Sequence, residues 1–262
     1  MLEKYGPWAL IVGGSEGVGE SFAVRLAAEG FDLVLLARKA EPLEALAERI
    51  RSTGRQVRTL SLDVTVPDAL ERVRALTDDL DVGLLIFLAG ATHRIEAFHD
   101  VAIEDWMVTV NCNVVAPTRF AHHFGGRMRT RGTGGIVLVG SVAGMTGSGK
   151  IAVYSASKAF NTTLAEGLWI ELQPHGVDVL GLVLGSTATP AMARLGFPID
   201  HPEFPAASPD SVVVEAFEHL GHEPVWFTDG NGPFAEQLRS MPREQAIGLM
   251  TASTESLNQR SS

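Results

Sequence analysis

The stretch WALIVGGSEGVGESFAVRLAAEG, residues 8–30, combines three local patterns. It begins with continuously apolar residues, which are typical of a strand covered on both faces. It ends with apolar residues at helical spacing followed by a glycine, which is typical of an amphipathic helix and its end. Between them lies a turn that includes Gly13, Gly17 and Gly19, where the backbone can bend sharply and approach a ligand closely. The stretch therefore predicts a strand, a ligand-binding turn and a helix, the first unit of an α/β fold.

The same alternation of short apolar runs and longer amphipathic segments continues along the chain. We predict strands at 8–14, 31–37, 56–64, 82–90, 134–141 and 177–185. We predict helices at 20–30, 42–54, 67–80, 101–130 and 154–173. Strands that are apolar throughout and alternate with helices form a mostly parallel sheet with helices on both faces. The pattern therefore predicts a Rossmann-like, doubly wound α/β fold in a single domain over residues 1–262.

The last third of the chain departs from this alternation. Residues 186–208 are rich in proline, small residues and scattered apolar residues, and a loop of this length in a compact domain is usually a functional lid or a mobile segment. We therefore predict a substrate loop there. From residue 209 onward we predict a helix, a short strand at 224–228 and one terminal helix, and we regard 231–262 as a C-terminal extension.

Bulk composition argues against several classes of protein. The chain has 262 residues and a formal net charge of −10, which does not suit binding to nucleic-acid phosphates or anionic membranes. Its apolar runs are shorter than the roughly 18 residues that a membrane span needs. The start of the sequence lacks a signal-peptide pattern, and its single cysteine is typical of a reducing compartment. We therefore expect a cytoplasmic protein without a membrane span or a nucleic-acid partner.

Eight histidines raise the question of a metal site. None of them forms a His-x-x-x-His or His-Glu-x-x-His pattern, and Cys112 has no partner thiol. Cys112 is more typical of a small buried apolar residue. We predict no metal site.

The glycine turn favours a dinucleotide as its ligand. Gly13, Gly17 and Gly19 precede a helix whose free N–H groups and dipole attract an anion. Residues 14–21 are close to the P-loop pattern of nucleoside-triphosphate binders, but Glu20 stands where that pattern needs lysine. A carboxylate at this position repels phosphates.

The end of the second strand indicates which dinucleotide binds. An acidic residue there would bind the adenosine ribose hydroxyls and disfavour a 2′-phosphate. The position holds Ala37 followed by Arg38, whose guanidinium could bind that phosphate, while Asp32 lies at the opposite end of the strand. Glu16 adds negative charge near the same pocket, and Arg38 could instead be a solvated surface residue. We predict NADP(H), with NAD(H) as the alternative.

A tyrosine and a lysine are spaced for proton transfer. Tyr154 and Lys158 are four residues apart, so they share one face of a helix. An adjacent ammonium favours the phenolate, so we expect Lys158 to lower the pKa of Tyr154. Ser141 ends a predicted strand at the sheet edge where ligands bind in open α/β folds, and its hydroxyl could hold a substrate oxygen.

Several motifs together resemble the short-chain dehydrogenase/reductase family. They are VGGSEGVG (12–19), LDV (62–64), LAG (88–90), VNCNVVAP (110–117), GSVAG (140–144), YSASK (154–158) and LGSTATP (184–190). The sequence departs from the family at Val12, where threonine is usual, at Leu88, where asparagine is usual, and at Leu184, where proline is usual. The Ser–Tyr–Lys set is intact, so the resemblance implies an active enzyme.

The resemblance implies roles for individual residues. Tyr154 would be the general acid/base, Lys158 would hold the nicotinamide ribose, Ser141 would orient the substrate oxygen, and Asn111 would position a helix and a proton-relaying water. The implied cofactor-binding residues are Gly13, Ser15, Glu16, Gly17, Val18, Gly19, Arg38, Asp63, Val64, Ala89, Gly90, Tyr154, Lys158, Gly185, Thr187 and Thr189. The resemblance also implies a homodimer or homotetramer, with the helices at 101–130 and 154–173 at an interface.

Both ends of the chain are similar to a narrower branch of reductases that act on steroids and long-chain 3-ketoacyl groups. The loop residues suit an apolar substrate wall or packing against the body or another subunit: Met192, Leu195, Phe197, Ile199 and Phe204. We therefore predict an NAD(P)(H)-dependent oxidoreductase that interconverts a carbonyl and an alcohol on an apolar small molecule. The alternative is a non-catalytic NADP(H)-binding regulatory or redox-sensing protein on the same fold.

Overall fold

The computed structural model describes residues 1–90, 94–194, 196, 199 and 206–259. Within these residues seven strands form one sheet in the order β3-β2-β1-β4-β5-β6-β7, and every neighbouring pair is parallel. The strands are Trp8–Val12 (β1), Asp32–Ala37 (β2), Val57–Ser61 (β3), Val82–Phe87 (β4), Gly134–Ser141 (β5), Val177–Leu184 (β6) and Val225–Phe227 (β7). The order reverses between β1 and β4, which creates a crevice at the carboxyl ends of these two strands.

Helices cover both faces of the sheet. They are Leu2–Tyr5 (α1), Gly17–Ala28 (α2), Ala40–Arg51 (α3), Ala69–Thr77 (α4), Ile103–Val110 (α5), Ala116–Arg131 (α6), Ala152–Leu172 (α7), Pro190–Arg194 (α8), Pro209–His219 (α9), Gly232–Ser240 (α10) and Arg243–Gln259 (α11). Helices α2, α3 and α9 pack on one face, and α4, α6 and α7 pack on the other. The continuously apolar strands therefore have the two-sided burial that their composition predicts.

The segment predicted as one helix at 101–130 contains a wider turn. Residues Asn111–Val115 form a π-helical turn in which the Ala116 N–H bonds to a carbonyl five residues earlier. Pro117 gives the physical reason, because it has no N–H to donate to the carbonyl of Asn113. Turns of this kind occur frequently at functional sites.

The prediction of one terminal helix is wrong, because the structure has two helices there. Helix α10 ends before Met241, which has an extended backbone with ψ of 158°, and α11 begins at Arg243. Pro242 explains the break, since a residue that precedes proline is driven away from the helical conformation. The two helices can therefore pack on the body in different directions.

Candidate active site

A cavity of about 670 Å³ opens at the carboxyl edge of the sheet. Residues at or just beyond the ends of β1, β2, β3, β4, β5 and β6 line it, as expected for the crevice at a strand-order reversal. Of the predicted cofactor residues, those that line this cavity are Gly13, Ser15, Glu16, Val18, Gly19, Arg38, Asp63, Val64, Ala89, Gly90, Tyr154, Lys158, Gly185, Thr187 and Thr189. Gly17 is the predicted cofactor residue that does not line it; its φ of 57° favours glycine, and an added methyl would lie 3.1 Å from Cβ of Thr189.

The glycine turn brings backbone atoms into contacts that a side chain would prevent. A methyl group on Gly19 would lie 2.0 Å from the Gly13 carbonyl oxygen, so helix α2 can begin directly against β1. Glu16 precedes α2 but makes no side-chain bond to the first N–H groups of the helix. These groups can therefore bind an anion such as a pyrophosphate. The turn and a cavity lined from the end of β1 to the end of β6 fit a dinucleotide.

The charge of Glu16 is balanced within the structure. Its carboxylate accepts a hydrogen bond of 3.0 Å from Arg194 Nη1 and lies 3.7 Å from Lys39 Nζ. The Arg194 guanidinium, and secondarily Lys39, hold the pKa of Glu16 below its usual range. The negative charge that counted against a phosphate in the sequence is therefore paired with two cations.

The charged residues at the two ends of the second strand lie where the sequence predicts them. Arg38 lies just beyond β2 and lines the cavity. Asp32 lies at the opposite end of β2, where its carboxylate accepts a hydrogen bond of 2.8 Å from the Gln56 N–H. Asp63, which lines the cavity, accepts bonds of 2.9 and 2.8 Å from the backbone and hydroxyl of Thr65. This end of the cavity therefore presents a cation that follows β2 and a carboxylate held by a local turn.

Tyr154, Lys158 and Ser141 meet in the cavity wall. Lys158 is 2% exposed, and its Nζ donates a hydrogen bond of 3.1 Å to the Val139 carbonyl and lies 5.7 Å from the centre of the Tyr154 ring. Ser141 ends β5, and its Oγ accepts a bond of 3.2 Å from the Ala143 N–H. The three side chains line the same cavity, so one substrate oxygen could reach both hydroxyl groups.

The pKa values of this group are set mainly by burial. Burial raises the pKa of the Tyr154 phenol, and a hydrogen bond with Ser141 opposes the rise. The predicted lowering of the Tyr154 pKa by Lys158 is wrong, because the loss of hydration dominates and the opposing contribution comes from Ser141. Burial lowers the pKa of Lys158 to about 8. At neutral pH the site therefore holds a neutral phenol beside an ammonium that is still protonated.

Asn113, which the sequence analysis missed, and Lys158 both lie close to Gly90. Asn113 is fully buried, and its Nδ2 donates a hydrogen bond of 2.9 Å to Ser157 Oγ. Its Oδ1 has no partner, and a methyl on Gly90 would lie 2.6 Å from this oxygen and 3.3 Å from Lys158 Nζ. The predicted Asn111 is half-buried, and neither asparagine lines the cavity. The proline four residues after Asn113 is the sequence signal that could have singled it out.

The far end of the cavity is formed by parts of the chain that are remote in sequence. Met192 of the predicted substrate loop lines it, as do Phe234 of α10 and Met250, Ser253 and Thr254 of α11. Leu195, Phe197 and Phe204, which we predicted as substrate-wall residues, lie outside the described residues. No local motif in the sequence predicts the contribution of α10 and α11.

Cys112 differs from its prediction as a buried residue. It is half-buried and lines the cavity. Burial raises the pKa of its thiol, so it is not activated as a nucleophile. Among the described residues no cluster of three or more metal-ligating side chains is present. None of the helices in the described part of the chain has the length and apolar character to cross a membrane.

Comparison with known proteins identifies the class. Residues 7–196 match the family model for short chain dehydrogenases, so the chain belongs to this family of oxidoreductases, which act on hydroxyl and keto groups. The predicted family and the predicted Rossmann-like fold are therefore confirmed.

Comparison with individual relatives shows which members of the family the chain is similar to. The chain is 35% identical to a 7β-hydroxysteroid dehydrogenase of Clostridium sardiniense over 221 residues, which is 84% of each chain. A solved structure from a study of 7β-hydroxysteroid dehydrogenase stereoselectivity has a TM-score of 0.89 and 31% identity, and the alignment covers 95% of this chain and 98% of that one. A short-chain dehydrogenase from Sphingobium yanoikuyae, solved in complex with NADPH, has a TM-score of 0.76 and 31% identity, with 91% and 97% coverage. The predicted resemblance to steroid reductases is thereby confirmed.

The buried ammonium of Lys158 should destabilise the protein without ligand. The lowering of its pKa from 10.5 to about 8 corresponds to a destabilisation of the folded protein by about 3 kcal/mol. The hydrogen bond to the Val139 carbonyl offsets about 1 kcal/mol of this destabilisation. We expect Lys158→Met to raise the free energy of unfolding by about 1–2 kcal/mol at pH 7, measured by urea unfolding.

The pH dependence provides the control for this variant. Below pH 8 the buried ammonium of Lys158 destabilises the wild-type protein fully. This destabilisation disappears as the pH rises toward 10.5, the unshifted pKa of lysine. The advantage of the variant should therefore disappear near pH 10. A variant less stable than wild type at pH 7 would contradict the assignment of a costly buried ammonium.

Proposed function

We propose that this chain is an NADP(H)-dependent oxidoreductase that interconverts a carbonyl and an alcohol on a bulky apolar substrate. The observation that carries the proposal is the meeting of Ser141, Tyr154 and Lys158 in one cavity that also contains the glycine turn and Arg38. The non-catalytic alternative is not favoured, because the Ser–Tyr–Lys set is intact and faces a cavity.

Each residue of the site has its own role in the proposed reaction. A bound nicotinamide cofactor supplies or accepts the hydride. Tyr154, kept neutral by burial, donates a proton to the substrate oxygen during reduction and accepts one during oxidation. Ser141 orients the same oxygen through its hydroxyl. Lys158 stabilises negative charge that develops on the phenol oxygen and offers its remaining protons to the cofactor ribose.

Asn113, rather than the predicted Asn111, is the residue that we propose positions Lys158. Its unpartnered Oδ1 and the lysine Nζ lie 2.6 and 3.3 Å from the same point, the position of a methyl on Gly90, and its Nδ2 fixes it to Ser157 on the catalytic helix α7. A carbonyl dipole near an ammonium favours the charged form. Asn113 therefore acts through Lys158 and does not need to contact substrate.

Two arguments support NADP(H) as the cofactor. Arg38 and Lys39 both lie at the adenosine end of the cavity, and no acidic residue occupies the end of β2. A similar short-chain dehydrogenase has been solved with NADPH. The 2′-phosphate would bind to Arg38, with Lys39 adding charge.

The proposed substrate is a rigid apolar ketone of steroid size. The substrate end of the cavity is lined by Val108, Val142, Ile151, Met192 and Phe234. A wall of this kind buries apolar rings, and a few polar groups fix their orientation. The relatives named as 7β-hydroxysteroid dehydrogenases act within this size class.

We also propose that the protein acts as a homo-oligomer of one-domain subunits in the cytoplasm. Helices α5 and α7 and the turn before α6 expose large apolar side chains, which is typical of a surface that another subunit covers: Ile103, Met107, Val115, Phe160 and Ile170. The predicted dimer or tetramer uses these helices.

Removal of the Tyr154 hydroxyl tests the proposed reaction. We expect Tyr154→Phe to bind NADPH with wild-type affinity and to lower kcat for ketone reduction by about 10²–10⁴-fold, measured by NADPH absorbance with a steroid ketone as substrate. If this variant keeps wild-type turnover on a ketone that the wild type reduces, Tyr154 is not the acid.

Arg38 and Asp32 provide a matched pair for the cofactor. We expect Arg38→Ala to weaken NADPH binding by about 10–100-fold, because a charge-assisted bond to the phosphate is lost, while NADH binding stays nearly unchanged. Asp32→Asn should alter neither affinity, since Asp32 lies at the far end of β2. Fluorescence titration measures both, and equal losses for NADPH and NADH in Arg38→Ala would argue against phosphate recognition.

Asn113 and Asn111 provide a second matched pair. We expect Asn113→Ala to lower kcat by at least about 10-fold and to shift the high-pH limb of the kcat/KM profile to lower pH, since Lys158 loses a dipole that favours its charged form. Asn111→Ala should change kcat by less than about 3-fold and leave the profile in place. A shift in the Asn111 variant alone would reverse the assignment.

A further inference from the structure

The C-terminal helix α11 belongs to the cavity although it lies beyond the family match. That match ends at residue 196, whereas Met250, Ser253 and Thr254 of α11 line the same cavity as Tyr154. The part of the site shared across the family therefore provides the cofactor end and the reacting groups. The wall that faces the substrate is completed by residues that the family pattern does not specify.

Helix α11 is fixed directly to the loop that leads into the catalytic helix α7. Ser148 Oγ lies 3.0 Å from Thr254 Oγ1, and the Gly149 N–H donates a bond of 3.0 Å to Thr251 Oγ1. Lys150 Nζ lies 3.5 Å from a Glu255 carboxylate oxygen. Ser148 and Thr254 are both buried, so the bond between their hydroxyl groups is protected from water, whereas the other two contacts are exposed. The wall therefore holds a defined position relative to Tyr154.

The inner face of α11 has helical spacing. Ala246, Met250 and Thr254 follow one another at intervals of four residues and are buried, while Ile247 and Leu249 on the outer face are each 40% exposed. Met250 is the largest of the inner residues and is 7% exposed. Its side chain packs in a cluster with Val142, the residue that follows Ser141. Met250 therefore lines the cavity and packs beside the residue that follows Ser141.

We propose that Met250 is a specificity-determining residue that limits the size of the ketone, and this proposal rests on the proposed function. Met250 lines the cavity together with Val142, with which it packs, and with Met192 of the predicted substrate loop. A thioether chain is flexible, so it adapts to ring systems of different outline. A shorter side chain lengthens the space for rings, and a rigid aromatic one shortens it.

The test compares substrate preference in three variants of α11. Met250→Ala and Met250→Phe change the wall, and Ile247→Ala is the matched control on the exposed face. Each protein is assayed for kcat/KM with cyclohexanone, a two-ring decalone and a steroid ketone, and NADPH affinity is measured in parallel. Met250→Phe keeps the apolar cluster filled, so we expect it to fold. If Met250→Ala does not fold, Met250→Phe alone tests whether residue 250 limits the size of the ketone.

The expected result is an opposite change in the two Met250 variants. Relative to wild type, the ratio of kcat/KM for the steroid ketone to that for cyclohexanone should rise about 10-fold in Met250→Ala and fall about 10-fold in Met250→Phe, since a few methylenes in an apolar pocket change selectivity by this order. Ile247→Ala should keep the ratio within about 2-fold. NADPH affinity should be unchanged in all three variants.

The outcomes separate the two proposals. If the wild type reduces ketones but Met250→Phe keeps the wild-type ratio, α11 does not select the substrate and only this inference fails. An equal change in Ile247→Ala would also overturn it, because the effect would not come from the cavity. If the wild type binds NADPH but reduces none of the three ketones, the proposed function fails and this inference fails with it.

Discussion

Because every neighbouring strand pair in the described sheet is parallel, the segments that follow the strands lie along one edge. Each functional side chain depends on this constraint for its place. The glycine turn follows β1, Arg38 follows β2, and Ser141 ends β5. The strand order places these three ends around one crevice, and α7 packs against β5 and β6 to bring Tyr154 and Lys158 to it. The strand order and direction therefore determine where the functional residues meet, and the side chains determine what chemistry they can perform there.

Sequence reasoning succeeded where the signal was local. The glycines at 13, 17 and 19 and the Tyr154–Lys158 spacing each predict a backbone shape or a shared helix face over a few residues, and the structure has both. It failed where the site depends on contacts between residues that are far apart in the sequence. The contribution of Met250 to the cavity depends on how α11 packs on a loop 100 residues earlier, which no short motif encodes.

Electrostatic predictions needed the structure for a related reason. The spacing of Tyr154 and Lys158 indicates that the charges are close, but it does not reveal how much water is excluded. Burial dominates both groups, raising the pKa of the phenol and lowering that of the ammonium. Glu16 is a second example, since its partner Arg194 is 178 residues away. In each case the sequence identifies the charged group, and the fold determines what surrounds it.

The bonds between α11 and the loop at Ser148 and Gly149 have a consequence for how this protein can diverge. The cofactor end is constrained by glycine contacts in which even one added methyl would collide with backbone atoms. The wall at α11 is joined to the body mainly through hydroxyl groups and one small apolar cluster. Substitutions in the C-terminal helix therefore meet fewer steric obstacles than substitutions at the glycine turn. One chain thus joins a segment whose backbone contacts tolerate little change to a segment that can be reshaped without disturbing the sheet edge.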